Sequence, residues 1–289
     1  MLATAIIVFR EVLEAALIIG IVLVATQGLL KRGIWVGTGI VVGLGGAGLM
    51  AVFADAISSA FAGIGQEVFN AGILLFAVIM LGWHNVWMKR HGRAMAQQMR
   101  DMGQAIKLGH RSMTMLAVVI GLAVLREGSE VVLFLYGVAV AQQDSSRLMF
   151  AGGLLGLLSG AVVGLLMYRG LLRISSKYLF TVTTWLITLL AAGLAAQAAG
   201  FLTQADVLPP LVQTMWDTSG ILAQHSILGR MLQTLIGYVD QPSGIQVLFY
   251  AATLIGIALL MRLYSSAPSP SVLPANAFEQ SMVNQFRKV

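Results

Sequence analysis

Two five-residue motifs carry the chemistry of this chain: Arg10-Glu11-Val12-Leu13-Glu14 and Arg126-Glu127-Gly128-Ser129-Glu130. In each, the two glutamates are three residues apart, so on a helix they project from one face. Both motifs lie inside apolar stretches long enough to cross a bilayer. One charged group at the centre of a membrane helix costs about 2.5–3.5 kcal/mol on insertion scales, so six unpaired ones would cost on the order of 15–20 kcal/mol. That exceeds the stability of a typical domain. The six charges must therefore face one another or an aqueous cavity. If the motifs meet, four carboxylates against two guanidiniums leave two surplus negative charges, a site for a multivalent cation. Carboxylate oxygens are hard ligands that suit Mg²⁺, Ca²⁺ and Mn²⁺. Iron, Fe³⁺ in particular, also falls within carboxylate chemistry. Cu(I) is disfavoured, because the chain has no cysteine, although its 15 methionines are soft donors. Two other readings stay open. Each arginine can pair with its own glutamates and lock two helices in register, or the glutamates can stay protonated and make a purely protonic site. The register lock leaves the surplus carboxylates and their recurrence at matched depth unexplained.

The elements that must position these groups are membrane helices. The chain has 289 residues, 58% hydrophobic and 10% charged, where soluble domains carry about 25% charged residues. Seven apolar segments, at 3–28, 34–57, 66–88, 114–141, 147–168, 179–204 and 245–264, predict an all-α polytopic membrane protein with seven transmembrane helices. The net charge of +6 points to no nucleic-acid partner, since the basic residues sit in short loops between apolar runs. The first segment does not read as a cleavable signal peptide: it lacks a basic n-region, and the first motif interrupts it. The connection 89–113 is polar and basic. The connection 205–244 is long and half apolar, with interfacial or re-entrant helices expected within 211–238. The tail from Ser265 reads as flexible.

Of the 18 lysines and arginines, fourteen fall on one side of this layout and only Arg147 and Arg230 on the other, with Arg10 and Arg126 inside the membrane. The positive-inside rule then puts the N-terminus outside and the C-terminus in the cytoplasm. The motifs recur 116 residues apart, in segments one and four. Segments two and five each carry a ridge of small residues: Gly39, Gly43, Ala47, Ala51 and Gly152, Gly156, Gly160, Gly164. Such ridges suit close helix approach, within one chain or in a homo-oligomer. Segments 1–3 and 4–6 therefore read as two copies of one unit, inverted because the number of helices per copy is odd. The expected organisation is a first repeat with its basic loop at 1–113, a second at 114–204, an outer loop at 205–244, and a seventh helix with its tail at 245–289. At 1.5 Å per residue the two motifs meet near the midplane.

Other candidates are more isolated. Glu67 and Asn70 open the third segment near the outer face. His84, flanked by Trp83, Asn85 and Trp87, lies in its inner half, as an exit ligand, a proton acceptor or part of an interfacial aromatic belt. Asp217, His225 and Asp240 on the outer loop could gather cations, and Ser129 could lend a hydroxyl. No G-x-x-x-x-G-K-[ST] P-loop and no His-Glu-x-x-His motif occurs. Haem held by two histidines has no second intramembrane histidine to use. These absences favour a secondary permease over an ATPase, an intramembrane protease or a haem redox enzyme. A non-enzymatic assembly subunit and a carrier of another hard divalent cation such as Mn²⁺ stay open.

With these residues in hand, the chain resembles the high-affinity iron permease family, the oxidase-coupled iron transporters of fungi and bacteria. The resemblance rests on the two intramembrane Arg-Glu-x-x-Glu motifs, on Ala-Ala-Gly-Leu-Ala-Ala at 191–196, on His225-Ser226 with Gly229, and on Gly237-Tyr238 followed by Pro242. It implies inward transport of Fe²⁺ or Fe³⁺ across a bacterial inner membrane, with iron as cargo and no tightly bound cofactor. It also implies that Glu11, Glu14, Glu127 and Glu130 are the metal ligands, with Arg10 and Arg126 completing the motifs. Its implied partners are a periplasmic oxidase or iron-delivery protein and a membrane electron-transfer subunit. Bacterial members are more acidic near Glu67, and Asn70 stands where a second carboxylate is expected.

Overall fold

No proline occurs before Pro209, and long apolar runs in lipid can satisfy their backbone groups only as helices or closed barrels. The computed structural model describes residues 1–60, 65–142, 146–170, 176–224 and 226–265. Among these it has eight helices and no strand: α1 (Leu2–Ala25), α2 (Arg32–Ala60), α3 (Gln66–Lys107), α4 (Thr114–Gln142), α5 (Ser146–Tyr168), α6 (Ser176–Gln204), α7 (Ile227–Ile236) and α8 (Gly244–Ser265). Five contain stretches long and apolar enough to cross a membrane: Arg32–Ala54, Gln66–Met88, Ser146–Tyr168, Phe180–Gln204 and Gly244–Leu263. α1 and α4 are of similar length, 24 and 29 residues, but each carries one charged motif near its middle. Large apolar side chains such as Val41, Leu44, Leu49, Leu154, Leu158 and Val162 point outward from α2 and α5. Exposure on this scale is an aggregation hazard in water and ordinary against lipid. The molecule is a multi-pass membrane protein.

The main core joins α1, α3, α4, α6 and α8. Ile7, Leu74, Leu81, Phe134, Ile187 and Leu194 are buried there together. The two small-residue ridges are spent within the chain. A methyl built on Gly43 of α2 would stand 2.7 Å from the Gly121 carbonyl oxygen of α4, and one on Gly156 of α5 would stand 2.5 Å from the Ala5 carbonyl oxygen of α1. No real side chain fits there, so glycine is what lets these backbones touch. The pairing crosses between the halves of the sequence: α2 packs chiefly on α4, and α5 on α1. α3 packs on α6 across the middle. Both motif-bearing helices are thus gripped along one side by a glycine ridge from the other half.

Two connections differ from the sequence expectation. α3 does not stop near Met88; it is helical to Lys107, so most of the expected polar loop at 89–113 is helix. The reason is amphipathicity. Met99, Met102 and Ile106 recur at helical spacing and pack with Val22, Val36, Leu116 and Ile120, while Gln98, Arg100 and Asp101 face outward. Among the described residues of the 205–244 segment there is one helix, the ten-residue α7. Ser226 caps it, its hydroxyl accepting from the Gly229 N–H at 2.9 Å. Gly237 closes it at φ 71° and abuts Gly193 of α6 so closely that a methyl on Gly237 would stand 2.6 Å from the Gly193 Cα. Gly193 is eleven residues before the end of α6, a depth of roughly 16 Å along that helix. The segment therefore folds back along α6. Its arms are pinned by Met215 N–H to the Pro242 carbonyl at 2.9 Å and Thr218 N–H to the Asp240 carbonyl at 3.0 Å. The Tyr238 hydroxyl donates to the Leu222 carbonyl at 2.8 Å.

Candidate metal centre

α1 and α4 touch along their middles, and α3 packs against both. This brings the two motifs face to face and adds one group from α3. In each motif the arginine holds the glutamate one turn on. Arg10 Nε donates to Glu14 Oε1 at 3.0 Å, and Arg126 Nε to Glu130 Oε1 at 3.2 Å. The nearer glutamates are looser: Arg10 Nη1 lies 3.9 Å from Glu11, and Arg126 Nε 4.0 Å from Glu127, beyond hydrogen-bond range. His84 sits between the two halves. Its Nε2 lies 3.5 Å from the Glu14 carboxylate, and its Nδ1 contacts Glu130 Oε2.

Two groups of side chains converge closely enough to hold a metal ion. Glu11, Glu14 and His84 form one, and Glu11, Glu127 and Glu130 the other; in each, the ligating atoms lie within 4.8 Å of one another. An ion with oxygen or nitrogen ligands at about 2.0–2.6 Å separates opposite ligands by at most about 4–5 Å, so either group can surround one ion. Glu11 belongs to both. Its two oxygens, and one oxygen of Glu127, are buried without a hydrogen-bond partner among the described residues. Buried carboxylate oxygens left in that state are costly. The Arg–Glu pairs account for a register lock, but a lock does not use these oxygens, which are left available to a cation.

The two halves are not equally enclosed. Arg10 is 1% exposed and Arg126 33%. The Arg126 guanidinium lies 4.1 Å above the Trp87 ring, a cation–π contact, and Trp87 stacks on His91 with ring centroids 5.0 Å apart. Next to His84, Asn85 Nδ2 donates to Thr188 Oγ1 at 3.2 Å and ties α3 to α6. A cavity of about 570 Å³ lies between α2 and α5, its walls almost wholly apolar, with Glu11 and Glu127 among its lining residues.

The remaining sequence candidates stand apart. Glu67 is exposed in the first turn of α3 and Asn70 lies one turn on; Glu67 joins neither of the two clusters. The Ser129 hydroxyl donates to the Leu125 carbonyl at 2.7 Å, within its own helix. Asp217 is engaged by its own loop: the Ser219 hydroxyl and N–H and the Gln241 amide donate to it, and the Ser219 hydroxyl foremost holds its carboxyl below the usual carboxylate range. Asp240 accepts from the Gln224 N–H. His225 lies outside the described residues. His84 is drawn to the centre rather than to an interfacial belt. Only Trp83 beside it faces outward, while Trp87 turns in to Arg126. The available signal for His84 was that it is the one histidine in an apolar run; the Trp87–Arg126 contact had none.

A bundle of apolar helices enclosing a carboxylate cluster without enough counter-charge is the architecture of an ion permease. The chain belongs to the iron permease FTR1 family, which it matches over residues 1–269. It is 32% identical over 244 residues to the ferrous iron permease EfeU of Escherichia coli O6:H1 (strain CFT073), covering 82% of this chain and 86% of that protein. To the ferrous iron permease EfeU of Yersinia pestis it is 30% identical over 276 residues, 93% of this chain and 96% of that one. No solved structure matches it.

Proposed function

We propose that the chain carries Fe²⁺ inward across the bacterial inner membrane, through a site built from Glu11, Glu14, Glu127 and Glu130. The observation that carries this reading is the pair of convergent groups sharing Glu11, with carboxylate oxygens buried and unpartnered. Charge favours the divalent ion. Four carboxylates and two guanidiniums leave two negative charges, which Fe²⁺ cancels; Fe³⁺ would leave a net positive charge in a low dielectric, at a cost of several kcal/mol. The relatives named ferrous iron permease agree with that choice. Iron is cargo, and no resident cofactor is needed for this step.

In this reading α1–α6 and α8 are the seven spans, and α1–α3 and α4–α6 are inverted repeats, supported by the crossed pairing of α2 with α4 and α5 with α1. The N-terminus is periplasmic and the C-terminus cytoplasmic, from the distribution of lysine and arginine. Inversion puts Arg10 on the outer side of the glutamates and Arg126 on the inner side. Burial of Arg10 and partial exposure of Arg126 then describe a state closed outward and looser inward. The apolar side cavity is no route for a hydrated ion, which must arrive from the periplasmic end, near α7, where an oxidase or iron-delivery partner and a membrane electron-transfer subunit would hand it over. Rocking of one repeat against the other exposes the site to each side in turn. The test is Fe²⁺ uptake into proteoliposomes under reducing conditions. Glu14→Gln and Glu130→Gln remove uptake while folded protein inserts normally; wild-type rates in either variant overturn the reading.

A further inference from the structure

We infer that His84 is a metal ligand and the residue that makes the site prefer a transition-metal ion over Mg²⁺ and Ca²⁺. The inference rests on the carboxylate site proposed above and adds its selectivity. Four carboxylates alone make an all-oxygen site, the donor set that alkaline-earth ions also favour. Imidazole nitrogen suits Fe²⁺ and its neighbours and does little for Mg²⁺ or Ca²⁺. Among the described residues, His84 is the nitrogen donor within the clustered groups.

The geometry fits a ligand rather than a space-filling core histidine. The ring is 3% exposed, and it stands between the two motifs rather than beside them. Nε2 faces Glu14, and together with Glu11 these groups form one ion-sized cluster. Nδ1 contacts the Glu130 carboxylate. Metal-bound histidines nearly always give their second ring nitrogen to a carboxylate or carbonyl, which fixes the ring and raises its donor strength. Here Glu130, itself held by Arg126, supplies that support from the other repeat. The Asn85–Thr188 bond one residue along fixes the rotation of α3 against α6, so the ring's aim is set by packing. The assignment is therefore His84 Nε2 as a nitrogen ligand added to the carboxylate site, next to Glu11 and Glu14, with the Glu130 oxygen that faces Nδ1 orienting the ring.

The experiment uses full-length protein in nanodiscs. Mn²⁺ is bound to the wild type, and pulsed EPR is used to look for ¹⁴N coupling from a coordinated imidazole. The same is done with His84→Gln, which keeps a hydrogen-bonding side chain. In parallel, Fe²⁺ affinity is measured by competition against excess Ca²⁺ and Mg²⁺. The expected result is nitrogen coupling in the wild type that vanishes in His84→Gln, with Fe²⁺ preference over Ca²⁺ falling at least about tenfold, since loss of even an outer-sphere partner costs about 10–100-fold in metal affinity. Metal bound to wild type without nitrogen coupling overturns the inference even if the variant does not fold. So does coupling that persists in His84→Gln, or an unchanged Fe²⁺ preference; in these cases the carboxylate site stands. Absence of any Mn²⁺ or Fe²⁺ binding to the wild type overturns both.

Discussion

Replacing Arg10 by methionine keeps the length and apolar stem of the side chain and removes its charge. Arg10 is almost wholly enclosed, and its Nε bond to Glu14 is 3.0 Å. Removing one partner of a buried ion pair costs about 3–5 kcal/mol, because the other charge stays buried without compensation. The formal imbalance at the site grows from two surplus negative charges to three. The matched substitution at Arg126 adds the same charge but at a site one-third exposed. There the loss is one partly screened pair and one cation–π contact with Trp87, roughly 1–2 kcal/mol together. For a chain of this size a kcal/mol shifts the melting temperature by about 2–4 °C. Arg10→Met should therefore melt roughly 6–20 °C below wild type, and Arg126→Met only a few degrees below. Adding Glu14→Gln to Arg10→Met removes the stranded charge and should recover most of the loss. Thermal unfolding of detergent-purified protein, followed by tryptophan fluorescence and monodispersity, reads all four. Equal losses for the two arginines, or a double variant no better than Arg10→Met, would refute the claim that Arg10 neutralises buried carboxylates.

Two further outcomes follow from the packing. Gly43→Ala forces a methyl against the Gly121 carbonyl, and overpacking of this kind costs about 1–3 kcal/mol; Gly45→Ala, which meets nothing within 4 Å, should leave thermal stability unchanged. Tyr238→Phe removes the hydroxyl bonded to Thr218 and Leu222 and should make the 205–224 segment more sensitive to limited proteolysis without lowering the melting temperature of the bundle.

The motifs were legible in the sequence because charge inside an apolar run has few physical excuses, and their pairing followed from matched depth. The glycine ridges announced close contact, but not with which helix. Small residues at every fourth position lower the steric barrier equally for any neighbour, and only the assembled bundle sends Gly43 to α4 and Gly156 to α1. His84 was placed in the inner half of its helix by counting from a boundary near Met88. The apolar stretch Gln66–Met88 matches that boundary, but depth along one helix does not say which neighbouring groups the ring meets, so the count did not locate it between Glu14 and Glu130. The spacing of Met99, Met102 and Ile106 was the signal for the longer helix, masked by the lysines and arginines between 89 and 111. Asp217 read as a candidate for cation capture because composition does not show that Ser219 and Gln241 bond to it.

The central claim is that carboxylates from α1 and α4 hold one iron ion together. X-ray absorption at the iron edge, on protein loaded anaerobically with Fe²⁺ and desalted, tests it most directly. The expected result is about one iron per chain with oxygen and nitrogen neighbours near 2.0–2.2 Å, lost when either Glu11 or Glu127 is replaced by glutamine. Iron that stays bound with an unchanged spectrum in both variants would contradict it.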